Sequence, residues 1–228
     1  MINIGGNIGE MSVENISIGS AYVGNQLVWE KTPAVLPYDA QVEWLGSSGT
    51  QYIQLPLSAP ARTFFGVEFD VLIETLYTNT NNLLFGGNPY RQCNVQYYSN
   101  ANNIATFASY LGNSSTSGAV GIAIGDKTHV IFTTTQVHTY TEDGDITNKS
   151  LSRPLSAAIT AFRVFGGYRN SNRYPCKIYN FKITVGDSLV YNLIPVRKDG
   201  VGYMYDKISK ELYGNSGSGS FTYGDDVI

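Results

Sequence analysis

Apolar and polar residues alternate along most of this chain with a period of two. The longest such run is Phe65-Gly66-Val67-Glu68-Phe69-Asp70-Val71-Leu72-Ile73-Glu74. Phe65, Val67, Phe69, Val71 and Ile73 fall on one face of an extended strand, and Glu68, Asp70 and Glu74 fall on the other. That pattern predicts a half-buried strand of an antiparallel sheet. Similar runs predict strands at 41–45, 51–55, 83–85, 93–98, 104–109, 129–135, 137–141, 162–165, 176–185 and 189–194, with short ones at 202–205, 212–213 and 220–223. Helical periodicity is nearly absent. Gly, Asn, Ser and Asp fill the gaps, which is turn chemistry. Glu142-Asp143-Gly144-Asp145 is a hairpin-turn sequence, because Asp-Gly accepts positive φ. Many short strands joined by such turns predict an all-β sandwich or barrel.

The first 31 residues read differently. Two loosely similar pieces, Ile2-Asn3-Ile4-Gly5 and Ile16-Ser17-Ile18-Gly19, precede Ala21-Tyr22-Val23, then Gly24-Asn25, then Gln26-Leu27-Val28-Trp29. A two-residue Gly-Asn loop between β-formers predicts a type II′ hairpin. A lone hairpin is marginal in water, so Tyr22, Leu27 and Trp29 are expected to pack on something and to serve anchoring or oligomerisation. Lys31-Thr32-Pro33-Ala34-Val35-Leu36-Pro37 reads as a stiff connector, since two prolines favour extended backbone. The expected organisation is a hairpin at 1–31, a linker at 32–40 and a sandwich at 41–228.

Composition narrows the partners. Apolar residues make up 43% of the 228, enough for a sizeable core, but charged residues only 14%, well below the usual quarter. The polar surface must come from Asn, Ser, Thr, Gln and Tyr, which suits neutral, hydroxylated partners. A net charge of −3 argues against nucleic acid, whose phosphates need a basic surface. Cys93 and Cys176 are far apart and form no CxxC pair, so a thiolate metal site is not expected. They read as two buried small hydrophobes, with a disulfide left open because only geometry decides it. Met1 to Gly9 lacks the basic start and apolar run of a signal peptide, and no stretch reaches the ~18 apolar residues of a membrane span. Synthesis in a cytoplasm without signal-directed export is the expectation.

Two longer motifs then resemble a known family. Val42-Glu43-Trp44-Leu45-Gly46-Ser47-Ser48-Gly49-Thr50-Gln51-Tyr52-Ile53 is similar to the opening strand pair of LamG-like, concanavalin A-like domains of phages and prophages. Ile194-Pro195-Val196-Arg197-Lys198-Asp199-Gly200-Val201-Gly202-Tyr203-Met204-Tyr205-Asp206, with Leu212-Tyr213-Gly214-Asn215 and Gly217-Ser218-Gly219-Ser220-Phe221, resembles the closing motif. The strand around Phe69 and the run Lys177-Ile178-Tyr179-Asn180-Phe181-Lys182-Ile183 fit between them in order. The resemblance covers roughly 40–226, more than three-quarters of the chain. It implies a concanavalin A-like jelly-roll β-sandwich of the kind found in phage fibres, spikes and capsid decorations; separately, the shorter piece from Ile18-Gly19-Ser20 to Val28-Trp29-Glu30 resembles a small β-hairpin segment at the start of phage virion proteins of this type. The implied setting is a virion, with other virion proteins as partners and a homo-oligomer, trimer favoured; low charge and tyrosine-rich loops point to bacterial surface glycan as ligand, with a purely structural decoration or a concanavalin A-like depolymerase as the alternatives. The resemblance fixes the fold and not the ligand.

Candidate chemistry is sparse. Glu68, Asp70 and Glu74 invite comparison with concanavalin A-like glycosidases, whose paired carboxylates share one strand. The spacing here is E-x-D-x-x-x-E, with the last Glu one or two residues too far. Asp70 to Glu74 spans about 13 Å by strand rise alone, so a solvated strand face and no catalysis is expected. His129 and His138 lie on successive predicted strands and would approach each other in a hairpin, but no third ligand has metal-site spacing. No nucleophile-elbow motif supports a Ser-His-Asp triad. Some LamG-like domains bind Ca²⁺, and Asp143 with Asp145 would be the oxygen ligands; the plainer reading is a solvated turn, with no cofactor. The chain has 17 tyrosines, more than a core readily uses, since each buried hydroxyl needs a partner. Asn88-Pro89-Tyr90-Arg91, Tyr97-Tyr98-Ser99-Asn100 and Tyr168-Arg169-Asn170-Ser171-Asn172-Arg173-Tyr174 combine rings that stack on sugar C–H faces with groups that bond hydroxyls. Tyr90, Arg91, Tyr168, Arg169 and Tyr174 are the expected ligand-binding residues.

Overall fold

The computed structural model describes residues 11–13, 16–18, 20–23, 26–30, 35–75, 82–88, 93–99, 104–111, 114–150, 155–167 and 175–227. The described elements are strands and turns. The chain divides into two compact units, residues 1–37 and 38–228. In the first, β1 (Met11–Val13) pairs with β2 (Ile16–Ile18), and β3 (Ser20–Val23) pairs with β4 (Gln26–Glu30), both antiparallel. The β3–β4 pair is the predicted hairpin, with Tyr22 opposite Leu27 and Ala21 opposite Trp29. The β1–β2 pair was not legible: three-residue strands are too short to show a period.

The second unit runs through β5 (Ala40–Gln41), β6 (Leu45–Ser47), β7 (Ile53–Leu55), β8 (Phe65–Leu72), β9 (Asn82–Asn88), β10 (Cys93–Ser99), β11 (Ile104–Leu111), β12 (Ser114–Ala123), β13 (Lys127–Thr133), β14 (Gln136–Thr141), β15 (Gly144–Ser150), β16 (Ala161–Val164), β17 (Cys176–Val185), β18 (Ser188–Lys198), β19 (Val201–Asp206), β20 (Leu212–Tyr213) and β21 (Thr222–Tyr223). A smaller sheet has the order β12-β11-β10-β9-β16-β7. A larger one has the order β15-β14-β13-β8-β17-β18-β19-β20, with β5 beside β18 and β6 joining β17 to β21. The two stack as a sandwich. On β8, Phe65, Val67, Phe69 and Val71 are at most 1% exposed, as the alternation requires. Between the layers, Phe85 of the smaller sheet meets Phe69, Phe181 and Phe132 of the larger, with ring centroids 5.5, 5.8 and 6.1 Å apart. Phe162 stacks beside Phe85 at 5.5 Å. Burying one such ring contributes about 1.5–3 kcal/mol.

Three departures from the sequence reading have plain causes. Residues 41–45 are not one strand, because β5 pairs with β18 while β6 pairs with β17, so the chain steps between neighbours at Glu43-Trp44. The predicted strand 189–194 runs on through Pro195 to Lys198, because Pro195 lies past the last β17 partner, Phe181 opposite Leu193. Strands β12 and β15 were missed. Ser114-Ser115-Thr116-Ser117-Gly118 has turn composition, and β15 is a largely exposed edge strand without an apolar face. Both are held by ladders with β11 and β14. The predicted hairpin forms, but its turn is Glu142–Asp143, one residue earlier than the expected Asp143-Gly144 centre, and Gly144, at φ +132°, already pairs with Thr141.

The two motifs at the ends of the sandwich sequence meet in space. Thr222 and Tyr223 pair with Gly46 and Leu45, and a Cβ on Gly202 would come within 2.5 Å of Leu45 Cδ1. Asp206 ties the closing motif down. Its buried carboxylate accepts from the backbone N–H of Asn192 (2.8 Å), Ile208 (3.2 Å) and Ser209 (3.0 Å). Burial pushes this carboxyl up, but the N–H groups of Asn192, Ser209 and Ile208 outweigh it and hold the group below its ordinary 3.8. A carboxyl depressed in the folded state contributes stability above its unfolded value and loses it as pH falls through the folded value. Urea unfolding between neutral pH and pH 3 should therefore show Asp206→Asn less stable at neutrality and flatter in its acid dependence than wild type.

Candidate functional site

The outward side of the larger sheet is set by the alternation that fills the core. Phe69 and Val71 point inward on β8, so Glu68 and Asp70 point outward. The register lines up a row across five strands: Asn180 on β17 opposite Asp70, Asp70 opposite His129 on β13, His129 opposite Tyr140 on β14, and Tyr140 opposite Asp145 on β15. A second row carries Lys182, Glu68, Ile131, His138 and Asn148.

Side chains in these rows are bonded to one another. Asn180 Nδ2 donates to Asp70 Oδ2, and His129 Nδ1 donates to Asp70 Oδ1, each at 2.5 Å. Lys182 Nζ donates to Glu68 Oε1 at 2.6 Å. The rings of His129 and His138 lie 4.8 and 4.9 Å from the ring of Tyr140, so the tyrosine sits between two imidazoles. His138 Nε2 donates to Asp145 Oδ1 at 2.9 Å. A cavity of about 230 Å³ beside the row is lined by Asp70, Lys127, His129, Tyr140, Thr141 and Glu142. Asn180 Oδ1 is buried and accepts no hydrogen bond from the described protein groups.

A β-bulge enriches this surface. The ladder between β17 and β8 shifts between Ile178 and Asn180. Ile178 and Phe181 are both fully buried, while Tyr179 and Asn180 are both half-buried. A bulge thus turns two consecutive side chains to one face. Lys127 Nζ lies 5.3 Å from the centre of the Tyr179 ring. Farther along, Lys177 Nζ stands 4.4 Å over Trp44 and donates to Glu74 at 2.6 Å. Burial pushes the Tyr179 phenol up; Lys177 opposes this, and Glu43, Glu74 and Asp70 reinforce it. The phenol therefore stays a hydrogen-bond donor at neutral pH.

Of the sequence-predicted residues, Tyr90, Arg91, Tyr168, Arg169 and Tyr174 lie outside the described residues. Tyr22, Leu27 and Trp29 lie on β3 and β4. Glu68, Asp70 and Glu74 share the outward face as expected, each engaged by a neighbour. The two histidines do come together on a hairpin, with Tyr140 between them. Asp145 bonds His138, and among the described residues no three His, Cys, Asp or Glu side chains form a metal-holding group. Cys176 is a free, buried thiol, and burial pushes it up to about 12, which answers the open disulfide question for this residue. Sequence reasoning missed Tyr140, Tyr179 and Asn180. Tyr140 was within reach, because pairing 129–135 with 137–141 as a tight hairpin puts it opposite His129. Tyr179 and Asn180 were not, because nothing in the sequence announces the bulge.

No protein-family model matches the chain, and no curated protein matches it in sequence. Solved structures do match in fold. A native heptameric SAP-like pentraxin from Limulus polyphemus superposes with a TM-score of 0.50 at 8% identity, over 82% of this chain and 98% of that one. A proposed carbohydrate-binding protein from Bacteroides ovatus superposes with a TM-score of 0.52 at 12% identity, over 81% of this chain and 61% of that one. This chain therefore spans about three-fifths of the Bacteroides protein. At such identities the likeness concerns fold alone: the second unit is a concanavalin A-like jelly-roll β-sandwich. A thiol as shielded as Cys176 should resist alkylation in native protein and react fully in denaturant, as peptide mass spectrometry of the Cys176 peptide would show.

Proposed function

We propose that this chain is a non-catalytic adhesion protein of a bacteriophage virion, and that its sandwich binds bacterial surface glycan through the outward face of the larger sheet. The observation that carries the glycan reading is the row Asn180–Asp70–His129–Tyr140. It sets an aromatic ring among fixed donors and acceptors, and these are the two chemistries that hold a sugar: C–H faces on a ring, hydroxyls on polar groups. Lys127, Thr141 and Glu142 line the same cavity and supply polar groups that sugar hydroxyls would bond. The cavity of about 230 Å³ falls below the ~300–1,000 Å³ of drug-sized ligand pockets, so it suits one ring of a longer chain lying across the sheet.

Low charge and tyrosine abundance support a hydroxylated partner over nucleic acid. The phage assignment is supported by the end motifs, which resemble phage and prophage LamG-like domains. In that setting the β3–β4 hairpin, with Tyr22, Leu27 and Trp29, anchors or oligomerises the protein among other virion proteins, as a trimer. The carbohydrate assignment of the Bacteroides protein and the heptameric state of the pentraxin are in keeping with a glycan-binding, homo-oligomeric use of this fold.

A bacterial glycan array should show binding by wild type that falls by about tenfold or more in Tyr140→Ala, given the ~1.4 kcal/mol per decade scale. Absence of any glycan binding would leave a purely structural protein. Asp70 and Glu142 line one cavity, so release of sugars from host capsule, abolished in Asp70→Asn, would overturn the non-catalytic reading. Deleting residues 1–31 should abolish oligomerisation in solution and incorporation into particles; retention of both would refute the anchoring role.

A further inference from the structure

A second recess, about 330 Å³, lies where β18 and β20 meet the segment after β7. Its lining includes Tyr191, Tyr213, Asp206, Glu211, Ser58 and Ser209. The two tyrosine rings have centroids 6.0 Å apart and planes at 72°, so they pack edge to face along the recess. Tyr213 Oη donates to Glu211 Oε2 at 2.9 Å, which fixes this carboxylate at the mouth; Glu211 itself is exposed. The buried Asp206 carboxylate lies behind, held by three backbone N–H groups.

The charge balance separates this recess from the sheet face. There, Glu68 and Glu74 are matched by the cations Lys182 and Lys177, and Asp70 and Asp145 accept hydrogen bonds from His129 and His138. Here the Asp206 and Glu211 carboxylates and the Tyr191 and Tyr213 rings line a recess in which, among the described residues, no Lys, Arg or His takes part. Lys207 and Lys210, near Glu211 in sequence, are not part of its wall, and Lys210 directs its Nζ to the carbonyl of Lys207 at 2.7 Å. Among the described residues, the wall therefore supplies no positive charge of its own. The π-faces attract a cation by about 0.5–2 kcal/mol, and a charge-assisted bond to Glu211 adds direction. Ser58 offers a hydroxyl to a hydroxylated frame, while the Ser209 side chain is engaged by Asp206 and Tyr213.

We propose that this recess binds a small hydroxylated ligand bearing an ammonium group, an amino sugar being the chemical type. The site is separate from the sheet face and does not rest on the glycan reading given for it.

The test is a titration of full-length protein, followed by amide NMR shifts, with glucosamine, glucose and N-acetylglucosamine at a pH where the free amine is protonated. Glucosamine should bind saturably and shift the amides of Tyr191, Ser209 and Tyr213. Glucose and N-acetylglucosamine should bind at least ~tenfold more weakly, as a lost charged hydrogen bond implies. Glu211→Gln, at an exposed position that leaves the core intact, should weaken glucosamine to the same degree; Tyr213→Leu should weaken it if that variant folds. Tyr140→Ala should leave it unchanged. Equal binding of the neutral sugars, indifference to Glu211→Gln, loss in Tyr140→Ala, or no saturable glucosamine binding would each overturn the proposal.

Discussion

Phe85 touches rings from both sheets, and the molecule is organised around that contact. Phe69, Phe132 and Phe181 reach it from three adjacent strands of the larger sheet, while Phe162 stacks beside it in the smaller one. Each ring fixes the phase of its own strand, because slipping a strand by one residue would move its whole apolar set to the other face. With β8, β13 and β17 phased by Phe69, Phe132 and Phe181, the outward positions follow without further choice. Asp70, His129 and Asn180 become neighbours because the phenylalanines behind them are neighbours.

That dependence explains what could be read in advance. The fold class was legible because β8 repeats its alternation over eight residues, and because the long motifs around Leu45 and Tyr205 carry a family resemblance. Their meeting in space, with Gly202 packed against Leu45, is a long-range fact that local patterning does not contain. The site was legible only in pieces. Glu68, Asp70, His129 and His138 stood out as titratable groups on strands. Their assembly needed the order of β17, β8, β13 and β14 within one sheet, which no short-range signal encodes. Edge strand β15 escaped notice because it buries little, so its residues carry no imprint of the core.

The sheet face and the recess near Tyr213 illustrate two ways of dealing with carboxylates. On the sheet, each acid stands beside a base or an amide; the more exposed pairs, Glu74 with Lys177 and Asp145 with His138, contribute about 0–1 kcal/mol each. Their effect is chiefly to fix the orientation of the donors and acceptors around Tyr140. Asp206 instead relies on the backbone N–H groups of Asn192, Ile208 and Ser209 together with the Ser209 side chain, and its anchorage holds the β19–β20 connection against β18.

The bulge at Tyr179 has a consequence for how this surface can change over generations. Inward positions on β17 are even-numbered before it, at Cys176 and Ile178, and odd-numbered after it, at Phe181 and Ile183. Residue 179 has no cross-strand partner on β8. Its identity is therefore free of both the core and the ladder, whereas its presence is indispensable, since deleting it would put Phe181 and Ile183 out of phase. Drift can rewrite the chemistry at this one letter of the strand, and with it the character of the exposed face, at no cost to the architecture behind.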